Sequence, residues 1–595
     1  MTDVGSAQDM SRPSAMSAVI HALFEPRPVV LLLIVSLAIG TLYTLTMLPL
    51  SLILGFGQFW QSPGGIISGV PDAGLDAAEH FVGYLYFTRG PWTFPILFAP
   101  NLGAPAGTNI FWVDSLPGIS LLGKAVYSVT GYPVNLFGLY SFACLAMPSV
   151  AMTTLLVAAG QRNLVAAIVG SMIGAATPWL IFHWGHLPVL GHFWVILGLA
   201  QYVATRRSPA NWRNSALWVG LLCAVFIINL YLFVMVSVCW GGALLQRRLD
   251  GKIRTVSLLT EACITIGIIA CIGLIEGVLS PALAAVTTSD FGDYSMNLAS
   301  PFVPQMSGLI PPLSHYRIGM NMQYEGFAYL GMGVLLIIAF SARGWVAWVR
   351  ENARSHIVLI CIFICFLLLA LSNKVYLGSH LMLSVPLPKS VTLALGSFRS
   401  SGRFFWPVGY SIAAGSIVLV LRQYRPLISL IVLTLAAILQ LVDVEPIRAE
   451  VAENASHPAA SVLDRQQAEA AAHRSSAMMV FPSFDCVDPA VADGSVPRAD
   501  RWLLRRANMD LQLVAARADL PINSVYSGRE STELQEKCRA EDAAMRQKLR
   551  AGTLYAYLVP FTPATAQLGE HTLDEVCSLA SWPRYCLIPS VTSYR

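Results

Sequence analysis

An unbroken apolar run, residues 216–246, restricts the folds open to this chain more than any other segment. It is 31 residues long, whereas one helix needs about 20 residues to cross a bilayer. Basic side chains flank the run on both sides: Arg206, Arg207 and Arg213 precede it, and Arg247, Arg248, Lys252 and Arg254 follow it. Because Lys and Arg in short loops stay in the cytoplasm, we predict two short helices that meet near Asn229 and Tyr231, with both basic loops inside.

The composition predicts a multi-pass membrane protein, since 55% of the residues are hydrophobic and 12% are charged. Eleven spans are expected, at about 29–53, 133–158, 163–183, 187–205, 216–230, 231–246, 257–280, 326–342, 356–372, 404–421 and 426–444. This number leaves residues 1–28 as a cytoplasmic tail and puts the loops 54–132, 281–325 and 373–403 outside. The first apolar segment should remain as an anchor, because it is too long for the apolar part of a signal peptide.

The last 148 residues, 448–595, carry 18 of the 34 acidic side chains, which predicts a water-soluble domain on the exoplasmic side. Segments 478–484 and 553–561 resemble strands, whereas 501–517 and 532–550 have helical periodicity. The expected fold class is therefore mostly α, a polytopic bundle of transmembrane helices followed by a small C-terminal α/β domain.

The C-terminal domain contains an even number of cysteines, which suits an oxidising compartment such as a periplasm. These are Cys486, Cys538, Cys577 and Cys586. Four cysteines allow three connectivities. We expect Cys577 to pair with Cys586, its near neighbour in sequence, and Cys486 to pair with Cys538.

No nucleotide-binding or nucleic-acid-binding motif is present in the sequence. Neither a phosphate-binding GxxxxGK[ST] nor a GxGxxG between a strand and a helix occurs. No CxxC pair of the metal-binding type occurs either, since Cys361 and Cys365 are four residues apart and lie inside a predicted span. Ionisable residues at a membrane surface are functional candidates. The chemistry of this chain is therefore expected in its outer loops.

The first outer loop contributes the richest group of candidates. Asp76, Glu79 and His80 stand at positions i, i+3 and i+4 of a predicted interfacial helix and share one face. The alternative for Asp76 and Glu79 is an N-cap with its capping-box partner. Asp72 lies just before this helix, and Asp114 precedes a second helical run, where it too could be a cap.

Three histidines, His183, His186 and His192, lie at a predicted outer membrane edge. Their spacing matches no strong zinc signature. We therefore favour hydrogen bonds to a ligand or to loop backbone over a metal site. Several outer-loop carboxylates could bind a divalent cation, but no spacing demands one.

The segment 397–407 places Arg399 and Arg403 four residues apart around Ser400. Two guanidinium groups and a hydroxyl can bind a phosphate. The alternative is that the arginines anchor a helix end at lipid headgroups. We favour phosphate binding, because outer-side arginines run against the positive-inside trend.

The preceding outer loop, residues 290–329, adds three polar candidates for ligand binding. They are Asn297, Gln323 and Glu325. Together with the first-loop and arginine residues, they complete the expected substrate-binding set.

Six segments, in order, resemble a bacterial family of GT-C-type membrane glycosyltransferases over about residues 60–445. They are PWTFPILFAPNLG, FWVDSLP, GHLPVLGH, YSMNL, QYEGFAYLGMG and FRSSGRFFWP. The resemblance implies transfer of a sugar from a polyprenyl phosphate or pyrophosphate donor on the exoplasmic side, with a first-loop carboxylate as the base. It points to Asp76 as that base. Because DAGLD departs from the adjacent acids of some relatives, Asp72 or Asp114 could hold the role instead.

The resemblance further implies a bacterial inner-membrane enzyme whose partners are the bilayer, a polyprenyl-phosphate sugar and an envelope acceptor. The acceptor would be a surface glycan such as lipopolysaccharide, a lipid or a protein. Two other classes stay open. A transporter or flippase of lipid-linked saccharides would need ionisable groups deep in the spans, where the sequence offers Glu261 and Glu276. A scaffold would use the C-terminal domain to bind partners.

Overall fold

The computed structural model describes residues 21–64, 75–207, 211–279, 291–310, 321–396, 398–494, 496–527, 534–545, 550–558 and 584–587. Its N-terminal part is helical, with two short hairpins. The helices are α1 (Val29–Leu45), α2 (Leu50–Ile53), α3 (Asp76–Arg89), α4 (Pro117–Thr130), α5 (Phe137–Ala158), α6 (Leu164–Ala175), α7 (Pro178–Phe182), α8 (His192–Arg207), α9 (Trp212–Phe226), α10 (Leu230–Leu249), α11 (Thr255–Glu276), α12 (Met332–Asn352), α13 (Ile357–Leu371), α14 (Lys389–Gly396), α15 (Trp406–Gln423) and α16 (Pro426–Ser456). The hairpins are β1 (Phe98–Ala99) with β2 (Thr108–Asn109) and β3 (Lys374–Leu377) with β4 (His380–Ser384).

Nine helices of the described ranges are long and apolar enough to cross a membrane, which makes this a multi-pass membrane protein. The sequence predicted eleven spans. The two others are shorter helices: the predicted span 29–53 contains the 17-residue α1 and the short α2, and the predicted span 216–230 is the 15-residue α9.

The long apolar run does break into two helices where the sequence predicted. Asn229 is the N-cap of α10, and its side-chain oxygen accepts hydrogen bonds from the backbone N–H groups of Tyr231 and Leu232. The two basic loops then meet at one end of the bundle. The Lys252 ammonium donates to the Arg206 carbonyl, and the Arg206 guanidinium lies 3.7 Å from the Asp250 carboxylate.

The C-terminal part is the predicted mixture of helices and strands. A three-stranded sheet has the order β5–β6–β7, with the first pair parallel and the second antiparallel. Its elements are α17 (Arg465–Ala472), β5 (Ala477–Phe481), α18 (Val487–Ala492), α19 (Arg501–Arg517), α20 (Leu534–Met545), β6 (Thr553–Tyr557) and β7 (Arg584–Leu587). Since α16 continues to residue 456, the last membrane helix enters this domain without a linker at the predicted boundary of 448.

A disulfide joins Cys486 to Cys538, the pair that the sequence prediction left after matching the other two cysteines. Cys586 lies in β7, and Cys577 lies outside the described residues. The pairing of those two stays a prediction.

The C-terminal domain packs directly on the first outer loop. The Ile522 backbone accepts from the Ala104 N–H at 2.7 Å and donates to the Asn101 carbonyl at 3.0 Å. On the other side of the same short segment, the Pro521 carbonyl accepts a hydrogen bond from the Met478 N–H at 2.9 Å. Residues 521–522 therefore bridge the first loop to the edge of the C-terminal sheet.

Candidate functional site

The candidate site lies at the end of the bundle opposite the basic loops. Helix α8 begins at His192, whose ring packs against Trp406 at the start of α15, with centroids 4.0 Å apart. The other end of α8 is Arg207, next to Arg206, whose guanidinium pairs with Asp250 of the second basic loop. The predicted outer-loop candidates thus share one end of the molecule.

Asp76 is the first residue of α3, and both its carboxylate oxygens accept hydrogen bonds. His186 Nδ1 lies 2.8 Å from Oδ2, and the Tyr526 hydroxyl lies 3.1 Å from Oδ1. The N-cap is Leu75, which makes no side-chain capping bond, so the capping alternative for Asp76 is wrong. Burial raises the pKa of this carboxyl, but His186 outweighs it, and the pKa lies below its ordinary value. The Asp76 side chain stays 18% exposed and ionised.

Glu79, one turn further along α3, has the opposite environment. It is 5% exposed, and its Oε1 has no hydrogen-bond partner among the described residues. Burial, followed by the charges of Asp76 and Asp114, raises the pKa of Glu79 well above its ordinary value. Burial thus favours the neutral form of Glu79, whereas His186 favours the ionised form of Asp76.

His80 is fully buried next to this pair. Burial, with the neighbouring His186, lowers the pKa of His80 to about 4, so its ring is neutral at neutral pH. Its Nδ1 faces the Val113 carbonyl at 3.3 Å, and its ring packs edge-on against the His186 ring at 5.4 Å. His80 thus packs against the His186 ring and limits its movement.

Asp114 reaches the site through an unusual backbone. It has a φ of 49° and caps the turn 110–113, and Leu116 follows with a φ of 50°. Two left-handed residues without glycine are costly and occur at functional sites. Gly83 of α3 lets the chain approach here, because a Cβ at this position would clash with Ser115. Asp72 lies outside the described residues.

Glu325 and Arg403 form a buried ion pair. The Arg403 Nη2 donates to Glu325 Oε2 at 2.6 Å, and His183 Nε2 lies 3.7 Å from the same oxygen. Burial raises the pKa of Glu325, but Arg403 and then His183 hold it well below its ordinary value. The guanidinium of Arg403 also lies over the Tyr231 ring at 5.1 Å.

Arg399 differs from Arg403 although it lies one helical turn away in sequence. Its guanidinium lies over the Tyr294 ring at 5.5 Å, and it forms no ion pair within the part of the chain that the structure describes. Burial lowers the pKa of Arg399, but the nearby Tyr294 and Tyr526 outweigh this and raise it. Arg399 is a half-buried cation that can accept an anionic ligand.

The arginine segment is held by close backbone contacts. The Ser400 N–H donates to the Tyr231 hydroxyl at 3.0 Å, and the Gly402 N–H to the Tyr294 carbonyl at 3.1 Å. Cβ atoms at Gly402 and Gly326 would clash with neighbouring backbone, which explains the glycine in each segment.

Three predicted ligand-binding residues form hydrogen bonds within the protein. Asn297 exchanges two hydrogen bonds with the Gly378 backbone, at 2.8 and 2.9 Å, and its Nδ2 donates to Gln323 Oε1 at 3.3 Å. Gln323 in turn donates to Ser295 at 3.1 Å. His192 is fully buried and bonds the Tyr410 hydroxyl at 2.9 Å. These bonds fix the three side chains, and their binding of a ligand stays a prediction.

The three histidines contact three different partners, namely Glu325, Asp76 and Tyr410. Within the described ranges, no group of three His, Cys, Asp or Glu residues is arranged to hold a metal ion. The role that the sequence analysis favoured for the histidines, hydrogen bonds to a ligand or to loop backbone, stays a prediction.

Sequence reasoning missed three tyrosines of the site: Tyr231, Tyr294 and Tyr526. Tyr231 lies at the predicted helix break and was assigned no chemistry. Tyr526 is separated from Asp76 by 450 residues, and no local pattern could connect the two.

Comparison with known proteins places the sequence in a family. Residues 37–445 match the family model described as "Domain of unknown function (DUF6311)", and residues 467–576 match the DUF6311 C-terminal domain. No curated protein matches the chain. Similar solved structures include the Archaeoglobus fulgidus oligosaccharyltransferase tethered with an acceptor peptide, at 11% identity and a TM-score of 0.41, covering 88% of this chain and 68% of that one. Its apo form has 12% identity and a TM-score of 0.38, covering 83% and 64%. Because the first family model spans more than half of its residues, the chain belongs to the DUF6311 family.

Proposed function

We propose that this protein is a membrane glycosyltransferase of the GT-C type, which transfers a sugar from a polyprenyl-phosphate donor to a cell-envelope acceptor. The observation that carries the proposal is the state of Asp76. This carboxylate is partly exposed, is kept ionised by His186, and lies in the same site as Arg399, a cation that forms no ion pair among the described residues. A general base and a phosphate-binding cation are the two groups that such a transfer requires.

The orientation of the site supports a lipid-linked donor. Basic loops stay in the cytoplasm, and the loops of Arg206 and Lys252 meet at the end opposite Asp76. The site and the C-terminal domain then face the exoplasmic side, in bacteria the periplasm. A Cys486–Cys538 disulfide suits that compartment. A donor that reaches this side must carry its own activated phosphate and diffuse within the membrane.

The reaction is a single displacement at the anomeric carbon. An acceptor hydroxyl oxygen forms the new bond to C1 while the bond from C1 to the phosphate oxygen breaks. The acceptor proton passes to Asp76, and the bonding electron pair leaves with the polyprenyl phosphate, whose added charge Arg399 stabilises. Attack from the face opposite the leaving group inverts the anomeric configuration.

The two arginines divide the work in this proposal. Arg403 is already neutralised by Glu325 at 2.6 Å, so its role is to hold the segments of Glu325 and Arg403 together at the side of the site. Arg399 keeps its guanidinium available and takes the donor phosphate. Asp114, on its strained turn, lines the same site and is the alternative base.

Reconstitution tests the function directly. Purified protein in liposomes is given radiolabelled polyprenyl-phosphate sugars and envelope extracts, and label in the acceptor fraction is measured. Transfer by the wild type that is lost in Asp76→Asn supports the proposal. Movement of intact donor across the bilayer without transfer would instead establish the flippase alternative. Repeating the assay with a chelator shows whether a divalent cation takes part.

A further inference from the structure

Tyr526 connects the C-terminal domain to the reacting end of the site. Its hydroxyl donates to Asp76 Oδ1 at 3.1 Å, while His186 holds the other carboxylate oxygen. Burial raises the pKa of Tyr526 well above its ordinary value, so the phenol remains a hydrogen-bond donor. The carboxylate is thereby fixed from two sides by two separate parts of the chain.

The backbone that carries Tyr526 is fixed to the first outer loop. Four residues before it, Ile522 bonds Asn101 and Ala104 in the manner of a short β-bridge. The Leu520 carbonyl accepts from the Tyr86 hydroxyl at 2.7 Å. Tyr86 lies on α3, the helix that begins at Asp76. The distance between Tyr526 and the carboxylate is therefore set by hydrogen bonds that join the Tyr526 segment to the first outer loop and to α3.

A brace built around the disulfide supports the tyrosine from the other side. The Phe484 ring stacks on the Tyr526 ring with centroids 4.2 Å apart. The neighbouring residue, Asp485, accepts from the Ser527 N–H at 3.3 Å and from Lys537 at 3.2 Å. The ion pair of Asp485 with Lys537 lies next to the Cys486–Cys538 bond, because Asp485 precedes the first cysteine in sequence and Lys537 precedes the second.

We infer that Tyr526 is a positioning residue for Asp76, so that the C-terminal domain completes the active site instead of lying beside it. The inference rests on the proposed function, in which Asp76 takes the acceptor proton. Tyr526 touches the base and aligns its oxygens. The disulfide brace keeps Tyr526 in place.

The pH dependence of transfer gives a readout that a purely structural role would not move. Among the described residues, the titratable groups that face Asp76 are Glu79 and His80 on its own helix, and His186, Tyr324, Glu325, Arg399 and Tyr526 from other segments. The Tyr526→Phe substitution removes the hydroxyl of Tyr526 and leaves the other groups of this set chemically unchanged. Losing its hydrogen bond destabilises the ionised carboxylate. The pKa of Asp76 then rises, and the acid limb of kcat/KM moves to higher pH.

The test compares Tyr526→Phe with Tyr86→Phe in the full-length protein. The control variant also loses one hydroxyl at the contact between α3 and the C-terminal domain, but Tyr86 bonds Leu520 and not Asp76. We expect Tyr526→Phe to lower kcat about tenfold and to shift the acid limb up by about one pH unit, the size of one hydrogen bond to a charged group. Tyr86→Phe should leave the acid limb in place. Equal limbs in Tyr526→Phe and wild type would overturn the inference.

A second measurement does not need the activity. Carbodiimide couples a labelled amine to protonated carboxyls, and mass spectrometry of the peptide that contains Asp76 gives its protonation midpoint in each variant. The midpoint should rise in Tyr526→Phe and stay constant in Tyr86→Phe. If wild type transfers no sugar but this midpoint moves, the proposed function fails while the contact stands. If transfer occurs and the midpoint does not move, the role of Tyr526 fails alone.

The brace is tested by Cys486→Ser with Cys538→Ser in one variant. Without the bond, the Asp485 and Lys537 contacts are less well fixed, and we expect the acid limb to move in the same direction as in Tyr526→Phe, by a smaller amount. Folding is followed by membrane insertion and thermal melting in the same preparation. A folded double variant with a wild-type acid limb would remove the brace from the inference.

Discussion

The two sides of the candidate site treat charge in opposite ways. On the paired side, Glu325, Arg403 and His183 lie together, and the Glu325 oxygen is 2.6 Å from Arg403. On the open side, Asp76 faces His186 and Tyr526, and Arg399 stacks on an aromatic ring without an ion pair among the described residues. A buried pair whose charges cancel mainly fixes geometry, whereas charges that remain partly exposed can act on a substrate.

This difference separates residues of the same chemical type. Arg399 and Arg403 are four residues apart, and in the described part of the chain Arg399 has no ion pair, whereas Glu325 neutralises Arg403. Asp76 and Glu79 are three residues apart, and their pKa values move in opposite directions. Two acids with separated pKa values on one helix face are a pattern of acid–base sites. The comparison predicts that variants on the open side lose activity and variants on the paired side lose stability.

The largest effect is expected for Asp76→Asn. An amide cannot take the acceptor proton, so transfer should fall by about 10³-fold, within the range for loss of a general base. Melting temperature and membrane insertion should stay near wild type. The matched control is Asp293→Asn, which changes a surface carboxylate paired with Lys374 at 3.3 Å. Initial rates with saturating donor measure the effect, and full activity of Asp76→Asn would remove Asp76 from the mechanism.

The wild-type pH profile belongs to the same prediction. Because the pKa of Asp76 lies below its ordinary value, the base stays ionised until the solution is strongly acidic. Transfer should therefore persist down to about pH 4, near the ordinary pKa of an aspartate. An acid limb near neutrality would assign the base to a different group.

The features that could be predicted from the sequence are those with a local sequence signal. The helix break at Asn229 was predictable, because a capping residue and two flanking basic loops are local signals. The mixed C-terminal domain was predictable from a change in charge density. Nine of the eleven predicted spans fall on long apolar helices of the described ranges, and the other two fall on the 17-residue α1 and the 15-residue α9, whose lengths no local signal gave.

The site was predictable as separate groups but not as an assembly. The first-loop acids, the histidines and the arginines were each visible as motifs. Their pairing was not, because it depends on which loops the bundle brings together: Asp76 meets His186, whereas Glu325 takes Arg403. The contact of Tyr526 with Asp76 crosses 450 residues, and only the packed fold contains it.

The second largest effect is expected on the paired side, in Glu325→Gln. This change leaves Arg403, which is 4% exposed, without its counter-charge. Breaking a buried pair by removing one partner costs about 3 kcal/mol of unfolding free energy or more. Thermal melting in detergent should show the loss. The double variant Glu325→Gln with Arg403→Met should recover part of it, because no charge is then left buried. A melting temperature equal to wild type in Glu325→Gln would contradict the assignment of this side to stability.

A smaller effect is expected for Arg399→Lys. Lysine keeps the positive charge but loses the planar fork that binds two phosphate oxygens. The KM for the polyprenyl-phosphate donor should rise about tenfold, as for one lost charge-assisted contact, with the melting temperature unchanged. Arg403→Lys is the matched comparison, and it should lower the melting temperature more than it changes the KM. If both lysine variants keep the wild-type KM, the arginines are headgroup anchors.

The smallest effect is expected for Glu79→Gln, and it concerns stability as a function of pH. Glu79 is buried, and burial raises its pKa in the folded protein well above the ordinary value of 4.5. Below pH 4.5 the side chain is neutral in both folded and unfolded chains, so the variant and the wild type should melt alike. As the pH rises above 4.5, the unfolded chain ionises Glu79 while the folded one does not, and the wild type loses stability through the folded pKa. Glutamine cannot ionise, so the variant should become the more stable of the two at pH 8, with transfer changed less than about threefold. Melting curves of both proteins at pH 4.5 and pH 8 measure the difference, and a difference that is the same at both pH values would show that Glu79 is ionised in the folded protein.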